Sequence, residues 1–349
     1  MKNYLKYALL VFCIKAQSVA FGYYANAGSY YAQPVASYQD YGWQDPYYLD
    51  GCSWSSNLSF SAEYLYWQVR TENLSYAVLS PTLPFPREFD STVQRVRPHA
   101  DSGCRLGIGY ELPCFCGYDL SLQWTRFKTN ASDSVSGSDV LPVLISLGGN
   151  PLVTNASASY DFKLNIVDLD IGRDFCVGRC FSLHPHAGFR GVWIDQDLDA
   201  IYSGGNVAPP IHSFDDLNFR GYGLRTGLDV QWGLCYGFSL ISRTSVDLLW
   251  SKSKIEHTEF HPGPRASMRD HVHTINPVFE LFLGLMWEHG FCSCSFPLSL
   301  QFHIGWEQQY IVNGLQFNQF SSSEPPRVTT HQLGGLGIGG LTTGVTLKF

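Results

Sequence analysis

Sulfur, charge and imidazole each recur at informative spacings in this chain. Cys114 and Cys116, Cys176 and Cys180, Cys235, and Cys292 and Cys294 gather in or beside short breaks between regular segments, with Cys52 just ahead of the first segment. Thiols collected at such turns in an exported chain read as a disulfide framework. A CxC pair spans too little chain for an easy internal bridge, so Cys114/Cys116 and Cys292/Cys294 reach for other turns or other molecules. Zinc is the competing chemistry, but the sequence holds no CxxC pair. Of the 10 cysteines, Cys13 lies in the leader described below and Cys104 stands apart from the turns. Without Cys13 the count is odd, which leaves a thiol for an intermolecular bond.

The second group is ionisable. Arg105, Glu111, Arg190, Arg225, Asp229, Arg243, Asp247, Glu280, His303 and Glu307 fall on the parity opposite the apolar positions of their segments. Charges restricted to one face of successive strands would line a polar lumen, here of mixed sign and hence weak ion selectivity. His184 and His186, or His303 with Glu307, could instead act as acid and base of a barrel hydrolase, a reading weaker than polar lining. In the third group His257, Glu259, His261, Asp270, His271 and His273 crowd one segment and could hold a divalent metal. HTEFH lacks the HExxH order of a zinc protease, and solvated loop histidines are the plainer explanation. No cofactor fingerprint appears, no enzyme is expected, and a net charge of −7 gives no basic footprint for nucleic acid.

The elements that must position these groups are strands. In the closing segment Leu341, Thr343, Val345, Leu347 and Phe349 alternate with Thr342, Gly344, Thr346 and Lys348. That is the period of a strand with one apolar face, and its terminal aromatic suits the girdle of a bacterial outer-membrane barrel. The same alternation recurs in segments beginning near Leu58, Cys104, Tyr118, Tyr160, Phe181, Tyr222, Phe238, Ile275 and Leu298, which makes ten strands with the last. The expected fold is therefore all-β, a transmembrane antiparallel up-and-down β-barrel of about ten strands. Twelve or more are reached if strands hide in 71–102 or in the apolar patch Val140 to Leu147.

Long polar connections are expected at 71–102, 129–158, 195–217, 253–271 and 311–332, and short ones near 113–117, 175–180, 233–237 and 289–295. Long external loops alternating with short periplasmic turns is the outer-membrane plan. Between Ile166 and Val167 the apolar set changes parity, which predicts a bulge. Trp124, Trp193, Trp250 and Trp306 close outward-running strands, and Trp232 and Trp287 close inward-running ones. Two interfacial belts follow.

Composition agrees. The chain has 349 residues, 15% charged and 15% aromatic with 33 Gly, as suits strands and turns. A mean hydropathy of −0.07 excludes a bundle of membrane helices. Lys2 and Lys6, the apolar run Ala8 to Ile14 and the small residues Ser18 and Ala20 read as a signal peptide over 1–20. Residues 21–57 are Tyr-, Ser- and Ala-rich without period and are expected to form a flexible tail, leaving 58–349 as the barrel.

FSAEYLYWQ in the first strand, PHAGFRGVWIDQ in the fifth and FRGYGLRTGLDVQW in the sixth resemble the pore-forming major-outer-membrane-protein family of Legionella- and chlamydia-like bacteria. The resemblance covers most of Leu58 to Phe349. It implies residence in the bacterial outer membrane among its lipids, passage of small hydrophilic solutes, and a structural part in the envelope. Cysteine-rich members further imply disulfide links to other cysteine-rich envelope proteins or to further copies. About eight strands are filled by side chains and water channels are typical near sixteen, so ten strands also admit a plugged structural or adhesive barrel.

Overall fold

The computed structural model describes residues 58–71, 74–79, 91–112, 117–145, 152–177, 180–260, 265–292, 297–320 and 329–349. The leader, the Tyr-rich tail, Cys52, Cys114, Cys116, His261 and Cys294 lie outside them, as does the side chain of Cys292. The strands are β1 (Leu58–Arg70), β2 (Ser75–Leu79), β3 (Thr92–Arg95), β4 (Ala100–Glu111), β5 (Tyr118–Pro142), β6 (Val153–Arg173), β7 (Phe175–Cys176), β8 (Phe181–Gly204), β9 (Val207–Gly233), β10 (Phe238–Phe260), β11 (Arg265–Cys292), β12 (Pro297–Phe320) and β13 (Thr329–Lys348).

Ten of these, β1, β4, β5, β6 and β8 to β13, pair antiparallel in chain order. The last meets the first from Ser59↔Lys348 to Arg70↔Gly337, which closes the sheet. Phe349 completes the seam, its N–H donating to the Leu58 carbonyl at 2.8 Å. A closed ladder leaves no strand edge unpaired in the hydrocarbon, which is the condition for spanning a bilayer with strands. The short β2–β3 hairpin and β7 stand outside the ring.

Outward side chains on the periplasmic half and middle of the strands are apolar and exposed, among them Tyr64, Leu106, Leu122, Leu224, Leu240 and, at the far limit of this belt, Trp250. On β10 this face runs from Phe238 to Trp250. At about 3.4 Å per residue and a tilt near 45°, that run covers roughly 30 Å of height, enough for the hydrocarbon layer. Beyond it the pattern inverts. On β6 Tyr160, Phe162, Leu164 and Ile166 point inward and are buried, while Asp161 and Lys163 point out and are exposed.

This inversion accounts for the parity change at Ile166/Val167. No bulge is present: Trp124↔Val167 and Thr125↔Ile166 continue one unbroken register. The expectation of a bulge is corrected, because the apolar face switches where the sheet leaves the membrane and begins to enclose a core of its own.

The same cause shortens the expected external loops. Strands β5, β8, β9 and β10 run far into 129–158, 195–217 and 253–271, carrying Ser, Asp and Lys on the outer face. Polarity marked those stretches as loops, yet their inward positions are buried, apolar at Ile211, Leu217 and Ile255 and polar at Ser213, Asp215 and His257. Strands β8 and β9 need only Gly205 and Asn206 between them. Gly204 and Gly205 both have positive φ, and a Cβ on Gly205 would lie 2.3 Å from the Leu152 carbonyl oxygen. Glycine is required at that hairpin.

Candidate functional site: a stratified lumen

From the periplasmic end inward, the lumen changes character in three steps. The first is a polar vestibule of about 230 Å³, lined by Ser59, Ser61, Asp119, Ser121, Gln123 and His184 among others. Small residues leave this space because glycines alternate with serines on facing strands, as at Ser61↔Gly107 and Ser59↔Gly109.

The second step is a layer of ion pairs. Arg105 on β4 reaches Glu63 on β1 at 2.7 Å and Glu307 on β12 at 2.6 Å, and its Nε donates to Thr125. Glu307 also accepts from Thr342 and Gln309, and Trp67 Nε1 donates to Thr342. Arg190 on β8 holds Asp168 and Asp247 at 2.6 Å each and Glu280 at 2.9 Å. Arg225 meets Glu280 at 3.0 Å, Arg243 meets Glu63 at 3.0 Å, and His303 Nε2 lies 3.1 Å from Glu63. Strands β4 and β12, β8 and β11, and β10 and β1 are not sheet neighbours. These bonds therefore cross the lumen. Arg190 and Asp247 are at most 1% exposed at their side chains, so the layer is closed to solvent around Arg190, while Arg243, 32% exposed, faces the vestibule.

Apolar side chains form the third step. Trp67, Phe127, Phe162, Leu164, Ile166 and Leu249 fill the ring just beyond the charges, each at most 2% exposed. The Arg105 guanidinium sits 5.5 Å from the Trp67 ring centroid and so joins the two layers.

Above this core a cap folds inward. Strand β2 pairs with the end of β5, from Ala77↔Pro142 to Leu79↔Val140. Tyr202 Oη donates to the Tyr76 carbonyl at 2.7 Å, and Ser213 Oγ donates to the Leu144 carbonyl at 2.9 Å. Below that contact His257 lies between Asp215 at 2.6 Å and Glu259 at 3.0 Å, with all three side chains at most 2% exposed. Burial pushes the His257 pKa down, but hydrogen bonds to the two carboxylates outweigh it and raise it to about 9. Burial pushes Asp215 up.

Each charged residue singled out by parity lies on the inward side of its strand, though not in one place. Arg105, Arg190, Arg225, Arg243, Asp247, Glu280, His303 and Glu307 meet in the ion-pair layer, Asp229 borders the vestibule, and Glu111 stays exposed at the rim. Sequence reasoning passed over Glu63, Asp168 and Asp170, although Glu63 shares the parity of Ser59 and Ser61. The pairing of His303 with Glu307 is not found: His303 faces Glu63, and Glu307 is taken by Arg105. His184 instead binds Asp174 at 2.8 Å near the periplasmic rim. The metal cluster also separates, because His257 and Glu259 point inward while His271 and His273 are exposed on the outer face. Among the described residues no group of ligands is arranged to hold a metal.

A family model described as the Legionella pneumophila major outer membrane protein precursor matches residues 52–349. The chain belongs to this family. It is a protein of the bacterial outer membrane. Comparison with curated proteins gives no match. Among solved structures, the outer membrane protease OmpT of Escherichia coli is similar at 10% identity and a TM-score of 0.44, over 86% of this chain and 99% of that one. The TodX deltaS2S3 mutant monoaromatic hydrocarbon channel follows at 9% and 0.32, over 84% and 90%. A Pseudomonas aeruginosa FadL homologue stands at 6% and 0.25, over 84% and 89%.

In this member of the family three thiols of the short turns are described. Cys176, Cys180 and Cys235 are free and exposed. The Cys180 carbonyl accepts from Gly233 N–H at 2.7 Å, which brings the turn bearing Cys235 beside that of Cys176 and Cys180. Cys104 is also exposed, on the lipid-facing parity with Leu106 and Ile108.

Proposed function

We propose that this barrel is a structural component of the envelope with its lumen shut at rest. The observation that carries the reading is the pair of packed layers, ionic then apolar, spanning the lumen between the vestibule and the cap. Water and ions passing along the axis would have to break Arg190 from three carboxylates and part the ring around Trp67. The charged residues named above then act as a seal rather than as the lining of an open channel.

A second reading, a pore for small hydrophilic solutes, is favoured by the polar vestibule and by the seal's being made of side chains. Conductance separates the two, since a shut lumen carries no stepwise current and a solute pore does.

The structural role is supported by the thiols. The exposed Cys176, Cys180 and Cys235 on neighbouring periplasmic turns support bonding to another copy or to another cysteine-rich envelope protein. On non-reducing gels of whole envelopes the protein is expected in large species that collapse to monomer under reductant. Substituting Cys176, Cys180 and Cys235 together by serine should deplete those species, and monomer in both lanes for the unaltered chain would count against the role. The closed ladder is held by backbone hydrogen bonds and not by sulfur bonds, so reduction should leave the barrel itself folded.

A further inference from the structure

Outside the lumen, the outer face carries cations where the apolar belt ends. Arg220 stands two residues beyond Tyr222 on β9, and Lys252 two beyond Trp250 on β10. In the sheet register Arg220 and Lys252 are direct neighbours. Lys252 also faces His273, and Lys254 faces His271. All five side chains are exposed and on the same outward parity. Like charges directly opposite each other weaken a sheet. Among the described residues no carboxylate forms an ion pair with Arg220, Lys252 or Lys254. The acids nearest on this face are already engaged: Glu256, two residues beyond Lys254, is held by Arg269 at 2.8 Å, Asp216 accepts from Asn218 at 2.6 Å, and Asp195 faces Asn218 and Lys163 in register.

Immediately below the cations the surface is strongly apolar. Trp250 is 75% exposed and its register neighbour Ile275 is 70% exposed. A ligand that relieves the repulsion and also covers this face must be anionic at one end and hydrocarbon at the other. A soluble anion meets only the first condition, and a neutral lipid only the second. We propose that Arg220, Lys252 and Lys254, flanked by His271 and His273, form a binding site for the phosphate-bearing headgroup of an outer-leaflet lipid whose acyl chains lie along Trp250 and Ile275. The placement rests on the chain's residence in the outer membrane and is independent of whether the lumen conducts. Phosphate between two facing cations converts a repulsive pair into two charge-assisted contacts. A second facing pair, Lys128 and Lys163, is the weaker candidate, because Asp197 already lies 4.0 Å from Lys163.

The test uses the full chain refolded in a neutral detergent and titrated with diphosphorylated lipid A, with bound lipid read by native mass spectrometry. With several cations facing one anionic headgroup, the phosphorylated form should bind at least about tenfold tighter than the dephosphorylated form. Arg220→Glu/Lys252→Glu, and equally Arg220→Gln/Lys252→Gln, should abolish that preference. Arg70→Glu, at an exposed cation on β1 away from the patch, should keep it, and added salt should weaken it. Equal binding of the two lipids, or a preference that survives both double variants, would overturn the site. Displacement of the lipid by inorganic phosphate alone would also overturn it, because the patch would then be a free-anion site.

Discussion

Replacing Arg190 with alanine is expected to destabilise the barrel by about 3–5 kcal/mol, the usual cost of removing one partner from a buried ionic cluster. Arg190 holds Asp168, Asp247 and Glu280 within 2.9 Å. Without it the three carboxylates share only Arg225, which stands 3.0 Å from Glu280 but 3.8 Å from Asp168 and Asp247. Lysine should rescue little, because a point charge cannot reproduce the fork that binds Asp168 through both Nε and Nη2. The midpoint of urea unfolding in detergent, followed by heat-modifiable gel mobility, measures the loss. A midpoint within error of the unaltered protein would mean the layer is not a coupled network.

The second large effect belongs to the cap. His257→Ala leaves Asp215 and Glu259 buried without the imidazolium between them, and should loosen the outer core by roughly 3 kcal/mol. Hydrogen exchange along β2 and the end of β5 would rise, while the membrane-embedded strands stay protected. The pH dependence follows from the direction of the shift. His257 has its folded pKa raised to about 9 from an ordinary 6.5. Its stabilisation is therefore complete below about 6.5 and is lost as pH rises through about 9. Burial raises Asp215 as well, so that carboxyl also loses stability with rising pH, at a lower range. Protection from exchange along β2, relative to the intrinsic rate at each pH, should fall between about pH 8 and 10 in the unaltered chain and show no such step in His257→Ala. Equal pH profiles would contradict the assignment.

Much of the barrel was legible because inside the membrane one rule dominates: apolar residues face lipid and polar ones face in. Leu120, Leu122 and Trp124 against Ser121, Gln123 and Thr125 is enough to place β5. Outside the membrane the rule reverses, and Tyr160, Phe162 and Leu164 became legible only through their partners. Ser132, Ser134 and Ser136 suggested a loop for the same reason, although they are the solvent face of a strand. At the lumen, parity showed which charges point inward, but period 2 carries no information about which strand lies across the barrel. The bond from Arg105 to Glu307, 202 positions away, depends on closure and shear. Likewise His257 and His271 looked like one cluster by proximity in sequence, yet they stand on opposite faces of the wall.

Planar bilayer recording tests the shut lumen most directly. The refolded full chain, inserted at a density confirmed by a lipid-facing label, should give no stepwise current at any voltage that the bilayer tolerates. Regular steps from the unaltered protein, persisting after removal of contaminating porins, would contradict the seal across Arg105, Arg190 and Trp67 and establish the solute pore in its place.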